Sequence, residues 1–151
     1  MEKRLVFDSS KCTGCRVCEM ICSLRHTGGC NPARSRIKII NQKREGTSTL
    51  MRCRQCGKPP CVGSCPVDAL SRNDATGVIT VDFETCIGCN ECIGACPLGG
   101  IILDPVENQI AICDLCGDDP ACAQFCATGA TSYVRMDRMA QLSASSQRGG
   151  K

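Results

Sequence analysis

Large apolar side chains are scarce in this sequence. Its 151 residues include three Phe, one Tyr, no Trp and a single His. A small domain is already short of buried surface, and a chain with so few large side chains buries even less. An apolar core alone therefore does not account for a stable fold, and another kind of cross-link is needed.

Long apolar segments and catalytic patterns are missing as well. The N-terminal sequence MEKRLVFDSSKC has no apolar h-region and no small-residue cleavage site, and no stretch reaches the length of a membrane span. We therefore expect no membrane span and a reducing, cytoplasmic location, where disulfides are rare and thiolates usually bind metal. Because no Ser–His–Asp set, phosphate loop or carboxylate pair is visible, we expect no catalytic site in this chain.

Cysteine, in contrast, is abundant, with 17 residues. All but Cys30 form four groups of four, which we call motifs 1 to 4. Motifs 1 and 3 have the spacing C-x2-C-x2-C-x3-C, and the gap before the third cysteine is wider in motifs 2 and 4. The motifs are Cys12, Cys15, Cys18 and Cys22; Cys53, Cys56, Cys61 and Cys65; Cys86, Cys89, Cys92 and Cys96; and Cys113, Cys116, Cys122 and Cys126.

The spacing favours iron–sulfur clusters over zinc. Three closely spaced thiolates wrap one loop around one face of a cluster, whereas a structural zinc site uses two separated C-x2-C pairs. The fourth cysteine begins a helical turn that leads away from the first three, so it is expected to ligate a different cluster, as in bacterial two-cluster ferredoxins. Glycines beside the first two cysteines are expected to allow positive φ and close approach of N–H groups to sulfur. They are Gly14, Gly57, Gly88 and Gly117.

The segments between the motifs predict an α+β fold of short elements. Alternating apolar residues predict a strand over 77–86. Two apolar runs predict a hairpin of Ile101–Leu103 and Ile110–Ile112, and a second hairpin is expected over 36–53 with its turn near residues 45–46. Helices of one or two turns are expected directly after the fourth cysteine of each motif.

The four motifs resemble the four-cluster, sixteen-cysteine ferredoxin-type subunits of multisubunit oxidoreductases. The resemblance rests on CTGCRVCEMICSLRH, CRQCGKPPCVGSCPVDAL, CIGCNECIGACPLGGI and CDLCGDDPACAQFCATGA. It implies four [4Fe–4S] clusters in tandem two-cluster ferredoxin-like units, one inserted in the other. Residues 1–50 and 105–135 would form the outer unit, 51–104 the inserted unit and 136–151 a C-terminal tail.

The resemblance also implies how the motifs share clusters, with motif 1 pairing with motif 4 and motif 2 with motif 3. The alternative, in which each motif wraps its own cluster, stays open. Ser23 and Ala127 stand where the other two motifs have Pro66 and Pro97, which weakens the argument for a helical turn there but not the ligand assignment. The implied sets are Cys12, Cys15, Cys18 and Cys126 (set 1); Cys22, Cys113, Cys116 and Cys122 (set 2); Cys53, Cys56, Cys61 and Cys96 (set 3); and Cys65, Cys86, Cys89 and Cys92 (set 4).

The family's role is to relay electrons beside a catalytic subunit. The compact chain and its first motif resemble subunits that serve tungsten aldehyde oxidoreductase-type enzymes or CO dehydrogenases. The tungsten group is favoured, so a tungsten or molybdenum pterin subunit is the expected partner. A flavin subunit or a ferredoxin would be the other redox partner, and self-association is a further option. The alternatives are a diffusible polyferredoxin, a relay subunit of a CO dehydrogenase or hydrogenase, and a zinc-binding interaction module.

Charge is unevenly distributed along the chain. The formal net charge is +3, yet residues 1–58 hold 13 Lys and Arg against 4 Asp and Glu, and residues 59–151 hold 5 against 11. The simplest interpretation is compensation of buried cluster anions, and the alternative is a docking surface for an acidic partner or a means to raise the potentials of nearby clusters. Nucleic-acid binding is not expected, because no aromatic stacking residues accompany the basic segment.

Three features remain outside the cluster pattern. Cys30 is expected to be an inert thiol, and His26 is expected to lie at the surface or to be hydrogen-bonded, since sixteen ligands are present without it. Met136, Met139 and Leu142 have helical spacing and would give the tail an apolar face for a partner.

Four sites of four thiolates predict the iron content directly. Anaerobic reconstitution should give about sixteen iron and about sixteen acid-labile sulfide per chain, together with visible charge-transfer absorption. Iron and sulfide analysis checks this. An iron content near eight would reject the four-cluster interpretation, and stoichiometric zinc without colour would reject the class.

Overall fold

The structure, a computed structural model, describes residues 3–42 and 46–136. Within these ranges the chain forms eight strands, four α-helices and a 3-10 turn at Pro32–Arg34. The strands are β1 (Lys3–Phe7), β2 (Lys38–Gln42), β3 (Thr47–Met51), β4 (Leu70–Arg72), β5 (Ile79–Val81), β6 (Ile101–Leu103), β7 (Ile110–Ile112) and β8 (Thr131–Arg135). The helices are α1 (Val17–Thr27), α2 (Pro60–Gly63), α3 (Glu91–Ala95) and α4 (Ala121–Gln124).

The strands form four separate two-stranded antiparallel sheets, β1–β8, β2–β3, β4–β5 and β6–β7. Three are pairs of strands consecutive in the chain, whereas β1–β8 joins the first described strand to the last. In that sheet Lys3 lies opposite Arg135 and Phe7 opposite Thr131. Helices also pair across the sequence, since α1 packs against α4 and α2 against α3.

The predicted α+β class with short hairpins and short helices is confirmed. Strands β6 and β7 have the predicted bounds, and β2 and β3 form the second predicted hairpin. Of its turn, Gly46 is described and has the positive φ of a turn residue, while residues 43–45 lie outside the described ranges. Strands β1, β4 and β8 were not predicted, because each buries a single residue and so has no apolar alternation.

Two predictions of local structure are wrong. The strand expected over 77–86 is only three residues long, because Asp82 ends it by accepting hydrogen bonds from the Glu84 N–H and the Thr85 hydroxyl. The helices were expected to follow the fourth cysteine of each motif, but α2, α3 and α4 precede it and α1 includes Cys22. They begin one residue before the third cysteine, where Pro60 opens α2 and Pro120 immediately precedes α4.

Helix α1 is longer than the others, with 11 residues. The position occupied by Pro66 and Pro97 in two other motifs is Ser23 here, so the helix continues to Gly28, which ends it in the left-handed conformation. Among the described residues no helix is long and apolar enough to cross a bilayer. Of the predicted apolar face of the tail, only Met136 lies within the described ranges.

The core consists of small side chains. Its largest buried members are Ile and Leu residues from the strands, such as Ile37, Ile39 and Ile79, and none of the three Phe or Tyr133 is fully buried. Six cysteines belong to this core: Cys22, Cys53, Cys61, Cys92, Cys113 and Cys122. The cysteine motifs are thus part of the hydrophobic core.

Two buried polar side chains attach α1 to β2 and to the segment before it. Glu19 is 2% exposed and accepts a hydrogen bond from the Ile39 N–H at 2.5 Å. Ser23 is fully buried, and its hydroxyl accepts from the Asn31 N–H at 3.0 Å. A buried polar group needs such a partner, and these two fix the helix that carries Cys18 and Cys22.

A core of this kind predicts an apoprotein that is largely unfolded. Without iron, the six buried thiols contribute little, and the remaining Ile and Leu side chains do not offset the conformational entropy of about 1–2 kcal/mol per residue. Metal binding is then coupled to folding. Iron removal should abolish the near-UV circular dichroism signal and the cooperative melt, and reconstitution should restore both. A cooperative melt of the iron-free chain would contradict this.

Candidate cluster-binding sites

All four motifs have the same local structure. The first two cysteines lie in a loop, and the third is the second residue of a helix, where Cys18, Cys61, Cys92 and Cys122 occupy equivalent positions in α1 to α4. The fourth follows the helix, except in motif 1, where the longer α1 includes Cys22. A single local geometry is thus repeated four times.

The residue before the second cysteine has positive φ in every motif. Gly14 and Gly88 have φ of 71° and 70°, and the equivalent Gln55 and Leu115 have φ of 51° and 56° without being glycine. In two motifs this turn directs an N–H group at sulfur, from Gly14 to Cys12 Sγ at 3.4 Å and from Gln55 to Cys53 Sγ at 3.5 Å. The expected positive φ is found at Gly14, Gly88 and Gly117, and Gly57 is the exception.

Backbone N–H groups also reach the fourth cysteine of motifs 2, 3 and 4. Ala69 donates to Cys65 Sγ at 3.2 Å, Gly100 to Cys96 Sγ at 3.3 Å and Thr131 to Cys126 Sγ at 3.4 Å. The N–H groups of Val67 and then Ala69 hold the pKa of Cys65 below its usual value, against the opposing effect of burial. Such donors stabilise a thiolate and tune an iron–sulfur centre.

The predicted set 3 combines thiols of motifs 2 and 3. Burial raises the pKa of Cys53 to about 11, and the negative charge of Cys61, Cys56 and Cys96 adds to the effect, so these three thiols are within electrostatic range of Cys53. Gly100, next to this set, lies so close to the Cys53 backbone that an added Cβ would be 2.7 Å from the Cys53 Cα and N atoms. Only glycine allows this approach.

Set 2 is assembled from motifs 1 and 4. Burial raises the pKa of Cys113 to about 12, with Cys22 adding to the effect. Burial likewise raises the pKa of Cys122, and Cys113, Cys22 and Cys116 all contribute. The four thiols of set 2 therefore lie within electrostatic range of one another.

Sets 4 and 1 follow the same pattern. The four cysteines of set 4, Cys65 from motif 2 and three from motif 3, line one small cavity together with Ile87, Leu70 and Ile110. In set 1, burial raises the pKa of Cys18 to about 12 and the charges of Glu19, Cys15 and Cys12 add to it. The remaining member, Cys126, follows α4, which packs against α1.

These donor sets have the chemistry that a [4Fe–4S] cluster requires. Each set offers four thiols, and the backbone N–H groups near the sulfur atoms can stabilise the negative charge of a thiolate. Buried thiols whose pKa is raised ionise only when a nearby cation supplies the compensating charge, and iron would be that cation. The residues present therefore fit the cluster, although which thiol binds which cluster stays a prediction.

His26 lies beside set 2. Its Nε2 atom is 3.8 Å from Cys116 Sγ and 3.5 Å from Asp114 Oδ1, while Arg36 binds the other oxygen of Asp114 at 2.7 Å. Burial lowers the pKa of His26, and the charge of Arg36 acts in the same direction. The expectation of a hydrogen-bonded or surface His is met by this polar contact. Cys30 is exposed and free.

Ion pairs join the basic first part of the chain to the acidic remainder. Arg34 binds Asp104 at 2.8 Å and Glu107 at 3.1 Å, and Lys3 binds Asp118 at 2.6 Å. With Arg36–Asp114, each of these pairs crosses from residues 1–58 to residues 59–151. Ion pairs within the molecule thus neutralise part of the excess positive charge of residues 1–58, in addition to any positive charge that compensates the clusters.

Comparisons with known proteins point to the same chemistry. A family model described as a 4Fe-4S dicluster domain matches residues 47–136, and one described as a 4Fe-4S binding domain matches residues 9–30. The polyferredoxin-like subunit of aliphatic sulfonate oxidoreductase from Pyrococcus furiosus is 41% identical over 81% of this chain and 70% of its own length. Electron transport protein HydN from Escherichia coli is 35% identical over 98% of this chain and 97% of its own.

A solved structure has a related fold. A chain of the active site complex BamBC of benzoyl coenzyme A reductase, with benzoyl-CoA, superposes with a TM-score of 0.52 and 25% identity. The match covers 98% of this chain and 91% of that one.

The crossed ligand sets predict the outcome of one substitution. Cys65→Ser should alter the cluster of Cys86, Cys89 and Cys92, through a weaker ligand or a three-iron form, with loss of at most about four of the iron atoms. Pulsed EPR with cysteine isotope labelling confined to motif 3 assigns the altered signal. Cys30→Ser is the matched control and should leave iron and spectra unchanged. An altered cluster that carries Cys53, Cys56 and Cys61 would reject the crossed sets.

Proposed function

We propose a function for this chain from the premise that it belongs to the 4Fe-4S dicluster domain family of electron-transfer proteins. It is an iron–sulfur electron-transfer subunit of the kind found in oxidoreductase complexes, with a non-catalytic role. Beyond this, we propose that it holds four [4Fe–4S] clusters in sets 1 to 4 and relays electrons along them. The observation that carries the proposal is the single local geometry repeated at all sixteen cysteines.

The electrostatic neighbours of the thiols support a linear order of the sets. Cys122 of set 2 is within range of Cys18 of set 1, and Cys92 of set 4 is within range of Cys61 of set 3. Arg52 is within range of Cys113 of set 2 and Cys53 of set 3. The order 1–2–3–4 follows, with sets 2 and 3 inside and sets 1 and 4 at the ends.

Exposure supports the same assignment of ends. Among the sixteen motif cysteines, Cys15 of set 1 and Cys89 of set 4 are the exposed ones. Exposed apolar side chains adjoin them, because Phe125 precedes Cys126 and is 57% exposed, and Ile87 follows Cys86 and is 65% exposed. We propose that one end receives electrons from a partner and the other delivers them.

The partner at one end is proposed to be a catalytic subunit, with a tungsten or molybdenum pterin enzyme of the aldehyde oxidoreductase type favoured. Two similar proteins support a catalytic partner, since one is named as a subunit of aliphatic sulfonate oxidoreductase and the other belongs to the benzoyl-CoA reductase active site complex. A flavin subunit or ferredoxin would dock at the other end. The chain's own residues hold the clusters, exclude water and present these two surfaces.

A diffusible polyferredoxin is the second candidate function. The relative named electron transport protein HydN matches nearly this whole chain, so its length also suits an independent carrier. Relay within a CO dehydrogenase or hydrogenase is the third. Anaerobic purification from the native host at low salt separates these functions, because a subunit co-elutes with a catalytic protein whose metal content identifies it, whereas a free carrier elutes alone.

The exposed end of set 4 gives a test of docking. Ile87→Ser should lower the rate of electron transfer with the co-purified partner about tenfold, since one buried interface side chain contributes about 1.4 kcal/mol or more. Val106→Ser is the matched control, because Val106 is 66% exposed and lies in the β6–β7 turn. Stopped-flow spectroscopy measures the rates, and iron content must be equal. Equal rates for the two variants would show that this partner does not dock on the surface around Ile87.

A further inference from the structure

Two side chains of motif 2 face motif 4. Gln55 contacts the Cys113 carbonyl directly, and Arg52, next to Cys53, lines a cavity together with Gln55 and with Leu115 of motif 4. Neither side chain belongs to the cysteine pattern, and the relay proposed above gives them no role.

Arg52 is half-buried, and backbone oxygens from two parts of the chain bind it. Its Nη1 atom donates to the Cys53 carbonyl at 2.8 Å, and its Nη2 atom donates to the carbonyl of Leu5 in β1. The guanidinium charge is within electrostatic range of Cys113, Cys122 and Cys53. The side chain is thus fixed by hydrogen bonds, with thiols of set 2 and of set 3 within its electrostatic range.

Gln55 makes the second connection. Its side-chain amide donates to the Cys113 carbonyl and accepts from the Ile79 N–H at 2.7 Å, while its own N–H points at Cys53 Sγ. The residue has a φ of 51°, a conformation that favours glycine. Gly14 and Gly88 stand at the equivalent position of two other motifs, so Gln55 adds side-chain contacts that those motifs lack.

We propose that Arg52 is a fixed cation between the two inner clusters that raises the reduction potential of both, and that Gln55 positions the two cysteine loops around it. The proposal rests on the four-cluster function above and concerns the crossing between its two units. Each cluster gains one negative charge on reduction. A positive charge nearby stabilises the reduced form and makes the potential more positive.

One cation shared by both clusters has a specific advantage for a relay. Because Arg52 acts on Cys53 and on Cys113 and Cys122, it shifts both inner potentials in the same direction. Arginine suits this position, since its planar fork holds two separate carbonyls and its charge persists at any physiological pH. Neighbouring Arg54 is exposed and supplies a matched cation that lacks these contacts.

The test is a potentiometric EPR titration of the holoprotein with Arg52→Gln, Arg52→Lys and Arg54→Gln. Cys15→Ser and Cys89→Ser identify the signals of the two end clusters. Arg52→Gln should lower the equilibrium constant for reduction of both inner clusters at least tenfold, equivalent to about 59 mV for one electron, and leave the end clusters unchanged. Arg54→Gln should change none of them by more than about twofold, as expected for an exposed charge.

Arg52→Lys separates charge from structure. Lysine keeps the cation but not the two-carbonyl fork, so the inner potentials should stay within about threefold of wild type in equilibrium constant. A tenfold shift in Arg52→Lys, a shift of one inner cluster alone in Arg52→Gln, or an equal shift in Arg54→Gln would each overturn the proposal. If Arg52→Gln does not take up iron, Arg52→Lys alone decides.

The failure of this proposal is distinct from failure of the function above. Wild-type iron near sixteen with unshifted potentials in Arg52→Gln rejects only the role of Arg52. Wild-type iron near eight rejects the four-cluster function itself, whatever the variant does.

Discussion

Buried sulfur that cannot ionise without a metal is the constraint on which this structure depends. Six cysteines lie in the core, and burial raises the pKa of thiols such as Cys18, Cys53 and Cys113 well above the usual value. An iron-bound thiolate both relieves this cost and cross-links distant parts of the chain. The helices are short, several strands have three residues, and the described core has no fully buried aromatic ring. Such a fold is sufficient because the iron cross-links provide the stability that side-chain packing does not.

Sequence patterns correctly predicted the hairpins, whose strands and turn depend on residues that are close together in the chain. Hairpin β6–β7 has the predicted bounds because its strands and turn are consecutive. Helices were predicted after the fourth cysteine, whereas α2 and α4 lie before it. Pro60 and Pro120 mark where these two helices start, and cysteine spacing alone does not show this. Strands β1 and β8 could not be found, since each depends on a partner at the other end of the described chain.

The same division applies to the sites. The cysteines were recognisable from spacing, whereas their assignment to clusters came from family resemblance. Arg52, Gln55 and His26 were missed as neighbours of the cysteines because their contacts are long-range and leave no motif. The positive φ of Gln55 left no compositional signal either. Alignment of the four motifs with one another places Gln55 opposite Gly14 and Gly88, which would have suggested its positive φ.

The pairing of β1 with β8 has a consequence for how the protein is made. Residues 3–7 are synthesised before residues 131–135, and at about 5–20 residues per second this interval is on the order of ten seconds. During that time the first motif lacks the strand and helix that complete its surroundings, while residues 53–96 are already available. With the proposed crossed sets, all the thiols of sets 3 and 4 are available before those of sets 1 and 2.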